Sequence, residues 1–151
     1  MTMEKPNVPA PEHLRFRVRL RTRWSDEDNH GVLNNAVYLT LFEETRFAYF
    51  TKAGMLRENR FPFVLAQTNV VYVSPGRGGA EVDVECATTH VGTTSFTQAY
   101  RLRDAANGAI WCEGEARLVG FDPRNGRKAP LSEAFRRAIE ELEGGKPPAS
   151  R

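Results

Sequence analysis

No long apolar run occurs in this sequence of 151 residues. A helix that crosses a bilayer needs about 20 consecutive apolar residues, so a membrane-spanning segment is excluded. Residues 1–11 contain three prolines and no apolar stretch of the length that a secretory signal requires. We therefore expect no membrane partner and a cytoplasmic location.

Cysteine is scarce as well. Cys86 and Cys112 both stand in strand-like apolar stretches, without the close cysteine and histidine spacing of a zinc site. We interpret them as buried, reduced packing residues, with a redox or metal role as the alternative. No metal is expected.

An excess of one charge is also absent, since 21 basic residues accompany 19 acidic ones and the formal net charge is +2. Five arginines nevertheless alternate with apolar residues between Leu14 and Trp24, which predicts a half-buried strand. Their face lacks the interleaved aromatics of a nucleic-acid platform. We expect a solvated face or the rim of a subunit contact, and no nucleic-acid partner. The mild basicity leaves room for an anionic small molecule.

The stretch 35–53 changes to helical spacing. Its recurring residues are Tyr38, Leu41, Phe42, Thr45, Ala48 and Tyr49. Asn34 or Asn35 is a good N-cap, and Gly54 is a good C-terminal stop. Further aromatics make this helix apolar around much of its circumference, which predicts a central, largely enclosed helix.

Residues 64–121 are interpreted as β structure. Four runs of strand character occupy 64–73, 80–90, 95–103 and 109–121. Short turns separate them and imply antiparallel neighbours. An amphipathic helix follows from Ser132 and is expected at the outer edge of the domain.

These elements predict an α+β domain. A helix rich in aromatics needs cover on several sides, and a strongly curved antiparallel sheet supplies it. We expect a single domain over 14–143, a disordered N-terminal tail over 1–13 and a frayed C-terminal tail over 144–151.

Residues 25–35 combine three carboxylates, amides, a histidine and a glycine directly before a helix N-terminus. Unpaired backbone N–H groups there suit a carbonyl oxygen that acquires negative charge. A carboxylate beside such a site can attack the carbonyl or deprotonate a water. The alternative is that Asp26, Asp28 and Asn34 only end the strand and cap the helix.

A set of fixed spacings runs from this segment into the helix. Its members are Asp26, Asp28, Gly31, Asn35, Tyr38, Phe42, Glu43 and Arg46. The pattern resembles the opening motif of the 4-hydroxybenzoyl-CoA thioesterase-like branch of the hotdog superfamily, and the order of elements over 14–125 matches as well. The resemblance implies a hotdog fold, in which about five antiparallel strands wrap around the long central helix and a C-terminal helix is added.

The same resemblance implies roles for residues of the motif. Asp28 maps to the catalytic aspartate, which is a nucleophile or a general base for water in that family. Gly31 would let the backbone approach the substrate. Asn35 and Tyr38 would either position the substrate or cap and pack. Glu27 is expected to face solvent.

Further site residues follow from the family pattern. The acyl pocket would be lined by Tyr38, Phe42, Phe63 and Tyr72, and Val64 would supply a backbone N–H from a second subunit. Glu43 is the back-up acid, because a helix acid does the chemistry in other hotdog branches. An ion pair with Arg46 is the structural alternative for Glu43.

Two features depart from the family pattern. His30 precedes Gly31, whereas many members carry a histidine after the glycine, so His30 is interpreted as an exposed loop residue; tuning of Asp28 or substrate binding is its alternative. The turn 91–94 lacks the basic residues with which some members hold the phosphates of coenzyme A. Candidates for that role are Arg77, Arg101, Arg124, Arg127 and Lys128, together with backbone N–H groups around Gly92.

The resemblance therefore implies an acyl-CoA thioesterase that hydrolyses a fatty-acyl or aryl-acyl thioester to free acid and thiol. Coenzyme A is then part of the substrate, no other cofactor is expected, and an acyl-carrier protein is the other carrier that the sequence leaves open. A homodimer or homotetramer with active sites between subunits is also implied. The alternatives are a non-catalytic acyl-CoA binding module and a hotdog enoyl-thioester hydratase or dehydratase.

Overall fold

The computed structural model describes residues 3–149. Its long helix, α1, covers Asn35–Ala53 and coincides with the predicted helix. The side chain of Asn34 caps it by accepting a hydrogen bond from the N–H of Ala36 at 2.9 Å. Gly54 ends it in the left-handed conformation, with a φ of 70°. Both predicted boundaries are confirmed.

The strands form one curved antiparallel sheet. Their bounds are β1 Phe16–Arg21, β2 Phe63–Tyr72, β3 Glu81–Val91, β4 Ser95–Asp104, β5 Ile110–Asp122 and β6 Arg127–Lys128. The order across the sheet is β1-β3-β4-β5-β2, and β6 pairs with β5. The sequence predicts the five long strands and misses β6, because two residues are too few to show alternation.

The core lies between the inner face of the sheet and α1. Tyr49 and Phe50 of α1 are fully buried. The ring of Phe50 packs against Phe63 of β2, with centroids 5.0 Å apart, and against Phe96 of β4 at 5.6 Å. Contacts on several sides explain why α1 is apolar around most of its circumference. The predicted α+β arrangement, a sheet wrapped around a central helix, is confirmed.

The second helix, α2, covers Glu133–Glu143, and the side chain of Ser132 caps it. The prediction that this helix lies at the outer edge is wrong, because Phe135 and Ile139 belong to the main core. The Phe135 ring stacks on Phe50 with centroids 5.3 Å apart. Burial of these two side chains removes their apolar surface from water. Within residues 3–149, no helix is both long and apolar enough to cross a membrane.

The outer face of the sheet carries charges that pair across strands. Arg19 of β1 binds Asp83 of β3 at 2.7 Å, and Arg103 of β4 binds Glu85 of β3 at 2.5 Å. The arginine-rich face predicted for β1 is therefore matched by acidic residues on the neighbouring strand.

Segments near both ends of the chain contact the sheet. The carbonyl of Pro9 accepts a hydrogen bond from Arg101 at 3.1 Å, and the carbonyl of Pro148 accepts one from the N–H of Val91 at 2.9 Å. The predicted tails, 1–13 and 144–151, also contain residues 1, 2, 150 and 151, which lie outside the described residues. The domain boundaries therefore stay a prediction.

Candidate active site

Asp26 anchors the loop that precedes α1. Its buried side chain accepts hydrogen bonds from the N–H of Arg23 at 2.8 Å and from the Arg23 guanidinium at 2.9 and 3.1 Å. Its carbonyl accepts another from the N–H of Asn34 at 2.8 Å. Burial by itself raises the pKa of Asp26, but the hydrogen bonds and the charge of Arg23 hold it below the ordinary value. Asp26 is thus a structural carboxylate whose two oxygens are already engaged.

Asp28 is held differently. Its Oδ1 accepts hydrogen bonds from the N–H of His30 at 2.8 Å and from the N–H of Val32 at 3.4 Å. Its own N–H donates to the carbonyl of Val32 at 2.8 Å. Oδ2 accepts no hydrogen bond from the residues between 3 and 149, and the side chain is half-buried. The loop therefore orients the carboxylate and leaves one oxygen for a substrate or a water.

Gly31 closes the turn that carries Asp28. Its φ of 73° lies in the left-handed region, which residues with a side chain rarely adopt. A Cβ at this position would meet no atom within 4 Å, so the backbone conformation and not crowding requires the glycine. The open space beside Gly31 leaves room for a substrate close to the main chain.

Tyr38 lies one turn into α1 and is buried. Its hydroxyl oxygen accepts a hydrogen bond from the N–H of Gly76 at 3.1 Å. Burial raises the pKa of Tyr38, the Gly76 N–H opposes that rise, and the negative charge of Asp28 adds to it. The phenol therefore stays protonated at neutral pH and retains its O–H group.

Asn35 and the end of β2 complete this side of the site. The hydroxyl of Tyr72 donates to the carbonyl of Asn35 at 3.1 Å, and the Tyr72 ring packs edge-on against Tyr38 with centroids 5.2 Å apart. Four of the predicted site residues, Asp28, Gly31, Asn35 and Tyr38, are thus gathered at the N-terminal end of α1.

Phe63 and Val64 lie at the other end of α1. Phe63 is buried against Phe50 and stacks on Phe61 with centroids 4.7 Å apart. Because α1 has 19 residues, its two ends are separated by about 28 Å. One chain therefore does not bring these two residues to Asp28.

Glu43 is exposed on α1, eight residues beyond Asn35 and so about 12 Å along the helix axis. The ion pair with Arg46, which was the alternative to a catalytic role for Glu43, is not formed among the described residues. Arg46 is buried instead, and its Nε donates to the hydroxyl of Tyr100 at 2.8 Å. The Arg46 side chain therefore lies in the core, while Glu43 is exposed to solvent.

The glycine-rich segment 74–79 contributes to the site. From the sequence it was interpreted only as a turn. The carbonyl of Gly76 accepts a hydrogen bond from the N–H of Leu33 at 3.0 Å, and the N–H of Gly78 donates to Glu27 Oε1 at 2.9 Å. The exposed Glu27 is therefore also a contact between loops. The sequence did carry a sign of this contribution, because three of the six residues are glycine, which is more than one turn requires.

His30 is exposed in the loop, as predicted. Its contribution to the site is the backbone N–H that binds Asp28. The described part of the chain shows no hydrogen bond or ion pair to its imidazole.

The predicted phosphate-binding cations fall into two groups. Arg101 is buried and binds Glu113 at 2.9 Å, and Arg77 binds Asp104 at 2.5 Å. The N–H of Gly92 is also engaged, because it donates to the carbonyl of Ser95 at 2.7 Å. The second group is exposed and consists of Arg124, in the turn after β5, and of Arg127 and Lys128, which form β6.

Among residues 3–149, no group of three or more His, Cys, Asp or Glu side chains is placed to hold a metal ion. Burial, together with the negative charge of Glu113, raises the pKa of the Cys112 thiol to about 12. Burial also raises the pKa of the Cys86 thiol well above its ordinary value. Both thiols are therefore protonated at neutral pH and are poor nucleophiles.

A protein-family model and a solved structure both match this chain. Residues 22–139 match the model of a family described as the thioesterase-like superfamily. A thioesterase from Thermus thermophilus, crystallised with coenzyme A and Zn, is 37% identical; the match covers 88% of this chain and 98% of that chain, with a TM-score of 0.78.

Two curated relatives match as well. The uncharacterized protein YsmA of Bacillus subtilis is 31% identical over 113 residues, which cover 74% of this chain and 76% of YsmA. The acyl-CoA thioester hydrolase YbgC of Escherichia coli is 27% identical over 113 residues, which cover 72% of this chain and 83% of YbgC.

Proposed function

The chain belongs to the thioesterase-like superfamily of hotdog proteins and is a thioester hydrolase, and we propose that it acts on acyl-CoA with Asp28 as its catalytic carboxylate. The observation that carries the role of Asp28 is its orientation. Two backbone N–H groups hold Oδ1, while Oδ2 is left without a partner among residues 3–149. Asp26, the other aspartate of the motif, has both oxygens bound to Arg23.

Two routes of hydrolysis are compatible with this carboxylate. In the first, Asp28 Oδ2 attacks the thioester carbon, the C–S bond breaks, the thiolate leaves, and water then hydrolyses the resulting anhydride. In the second, Asp28 removes a proton from a water whose oxygen attacks the same carbon, and the departing thiolate takes up the proton. In a quenched single turnover, only the first route yields protein that is heavier by the acyl group.

The oxygen of the thioester carbonyl becomes negative in either route and needs N–H donors. We propose that a second copy supplies one of them from the region of Val64. Strand β2 lies at the end of the sheet order, and its outer edge pairs with no strand among residues 3–149. Val64 and Leu65 are 43% and 52% exposed there. An unpaired edge with exposed apolar side chains favours pairing with another copy.

The geometry of such a pair brings the separated site residues together. In a two-fold antiparallel pairing of β2 with β2, the end with Phe63 in one copy lies beside the end with Tyr72 in the other. Tyr72 contacts Tyr38 and Asn35. Phe63 and Val64 of a second copy would therefore lie near Asp28, which they do not reach within one chain.

The acyl pocket that we propose is aromatic. Tyr38 and Tyr72 form its wall beside Asp28, and Phe42, stacked on Tyr100 with centroids 4.8 Å apart, lies one turn further along α1. Such a lining suits an aliphatic or an aryl acyl group.

The decisive experiment is a panel of acyl-CoA thioesters assayed by release of free thiol, run on the native chain and on Asp28→Asn. Asparagine keeps an oxygen in place of Oδ1, so the loop retains its hydrogen bonds, and we expect kcat/KM to fall by about 100-fold or more. Glu43→Gln is the matched control and should retain the native rate. Full activity in Asp28→Asn, or no thioester cleaved by the native chain, would disprove the proposal.

A further inference from the structure

Arg46 is a buried cation without a carboxylate partner in its own chain. The residue is 6% exposed, and it forms no ion pair with a residue between 3 and 149. Its Nε donates to the hydroxyl of Tyr100 at 2.8 Å, and its guanidinium carbon lies 5.5 Å from the centre of the Tyr100 ring. Nη1 and Nη2 donate to no residue within the same range. The paired Nη groups are therefore left for another acceptor.

The ionisable side chains that interact with Arg46 supply no counter-charge. Burial raises the pKa of Tyr100, although the charge and the hydrogen bond of Arg46 oppose this rise. Burial also raises the pKa of the Cys86 thiol, again against the charge of Arg46. Both groups therefore stay neutral at neutral pH. A buried charge without an ionic partner is costly, which favours an anionic partner for Arg46 that is not part of this chain.

A chain of buried hydrogen bonds holds Tyr100 from behind and ends at Glu143. The hydroxyl of Tyr100 donates to Gln98 Oε1 at 2.6 Å, and at the far end the hydroxyl of Tyr49 donates to Glu143 Oε1 at 2.6 Å. Gln98 and Tyr49 are joined through the hydroxyl of Thr88, by hydrogen bonds of 3.1 and 2.9 Å. The chain fixes the hydroxyl that binds the guanidinium, and four side chains separate that cation from the carboxylate of Glu143.

Arg46 continues the helix face that lines the aromatic pocket proposed above. Tyr38, Phe42 and Arg46 follow one another at intervals of four residues on α1, so they share one face of the helix. The Phe42 ring stacks on Tyr100 with centroids 4.8 Å apart, and a Cβ at Gly114 of β5 would lie 2.7 Å from its Cε2. Tyr100 therefore contacts both Phe42 and Arg46, at the end of the pocket away from the acidic loop.

The position of Arg46 sets the length of acyl group that could reach it. Arg46 is eight residues beyond Tyr38, which is about 12 Å along the helix axis. Long side chains on a helix lean toward its N-terminus, which directs the guanidinium toward the Asp28 end of α1. Both Nη nitrogens keep some access to solvent, so a ligand can approach them. An acyl chain of medium length would span this gap.

We propose that Arg46 binds a carboxylate at the far end of the acyl group, so that the substrate is the coenzyme A monothioester of a medium-length dicarboxylic acid. This inference rests on the proposed function and names the class of acyl group that it leaves open. The parallel N–H groups of a guanidinium match the two oxygens of a carboxylate. The rings of Tyr38, Phe42 and Tyr72 would line the methylene groups between the thioester and the carboxylate.

The test compares pairs of thioesters with equal carbon chains. Adipyl-CoA and hexanoyl-CoA form one pair, suberyl-CoA and octanoyl-CoA form the other, and only the distal carboxylate differs within a pair. We expect the native chain to favour the dicarboxylic member of at least one pair by about tenfold or more in kcat/KM. Arg46→Met should remove this preference, chiefly by raising KM for the dicarboxylic substrate, and should retain activity on hexanoyl-CoA and octanoyl-CoA. Arg46→Lys, which keeps the charge, should retain part of the preference.

The variants are chosen so that folding does not obscure the result. Arg46→Met is expected to fold, because replacing a buried charge with an apolar side chain is often neutral or stabilising. Arg137→Met removes an exposed arginine from α2 and should match the native chain on every thioester. Thermal unfolding of both variants accompanies the kinetics. The preference of the native chain is a test that needs no variant.

Several outcomes would overturn the assignment. Hydrolysis by the native chain without a preference in either pair, or a preference that persists in Arg46→Met, would remove Arg46 from recognition of the acyl group. Equal losses on both members of a pair would make Arg46 purely structural. Dissociation of Arg46→Met into monomers with an unchanged preference would assign the Nη groups to a carboxylate of a second copy.

Calorimetry separates this inference from the proposed function. Suberyl-CoA and octanoyl-CoA are titrated into Asp28→Asn, with and without Arg46→Met, so that binding is measured without turnover. Tighter binding of suberyl-CoA that depends on Arg46, with no thioester hydrolysed by the native chain, would support the carboxylate site and disprove the activity. Hydrolysis with equal binding of the two thioesters would do the reverse, and neither binding nor hydrolysis would disprove both.

Discussion

The hydroxyl oxygen of Tyr38 accepts a hydrogen bond from the backbone N–H of Gly76 at 3.1 Å, which joins α1 to the glycine-rich segment 74–79. The carbonyl of the same glycine accepts a hydrogen bond from the N–H of Leu33, in the loop that carries Asp28. One residue thus holds both the aromatic wall and the acidic loop of the proposed site. The N–H of Gly76 donates to α1 and its carbonyl accepts from the acidic loop. A side chain at this position would disturb both hydrogen bonds.

Gly76→Ala should destabilise the protein. The added Cβ would lie 2.6 Å from Cε3 of Trp111 and 2.8 Å from the hydroxyl of Tyr38, so the ring or the loop must move. We expect a loss of about 1 to 3 kcal/mol in the free energy of unfolding, measured by urea titration. Gly145→Ala, where the new Cβ meets nothing within 4 Å, is the control. Equal stability of the two variants would contradict this packing.

Tyr38→Phe should also lower stability, because the N–H of Gly76 is buried and would lose its acceptor. A buried donor without a partner costs about 1 to 3 kcal/mol. Tyr72→Phe removes a hydroxyl whose bond to the Asn35 carbonyl is exposed, and it should cost less. Thermal unfolding of both variants side by side measures the difference, and a larger loss in Tyr72→Phe would refute the assignment.

The stability of the protein should fall in acid partly through Asp26. Its pKa in the folded protein lies below the ordinary value, so its contribution is present above the pKa of the unfolded chain and is lost as the pH falls through the folded value. Asp26→Asn should be less stable than the native chain at pH 7, and the gap should narrow below about pH 4. Unfolding free energies across this range, with Glu141→Gln as an exposed control, test the prediction. A gap that stays constant with pH would exclude the ionic contribution.

Leu65→Lys should separate the proposed pair of copies. Leu65 is 52% exposed on the outer strand β2, and a charge there opposes pairing of two such edges. We expect light scattering to show a shift to the monomer and thioester hydrolysis to fall with it, since Val64 of a second copy would no longer reach Asp28. Glu141→Lys, on the exposed face of α2, adds a lysine without touching β2. An active monomer would show that one chain suffices.

Much of the fold was predictable because its signals are local. The cap at Asn34, the stop at Gly54 and the aromatic spacing between them define α1 within a few turns of chain. Alternation and short turns define the long strands in the same way. The two-residue β6 has no such pattern. The core contacts of α2 depend on aromatic rings from other elements, such as Phe50, on which Phe135 stacks.

The candidate site was predictable only in part. The register of Asp26, Asp28 and Gly31 marked the acidic loop, and the family resemblance singled out Asp28. The surroundings of the two aspartates became visible only in the structure, where Arg23 binds both oxygens of Asp26 and neither of Asp28. The importance of Gly76 was hidden, because its partners Leu33 and Tyr38 come from a different part of the chain.

The sequence by itself determined the two helices, the five long strands, the helix caps and the loop that holds Asp28, since each depends on residues within one or two turns of one another. Only the tertiary structure decided that Asp28 and Phe63 lie at opposite ends of α1, that α2 enters the core and that Gly76 joins the helix to the loop. These relationships depend on contacts between segments far apart in the chain, and periodicity carries no information about which distant surfaces meet.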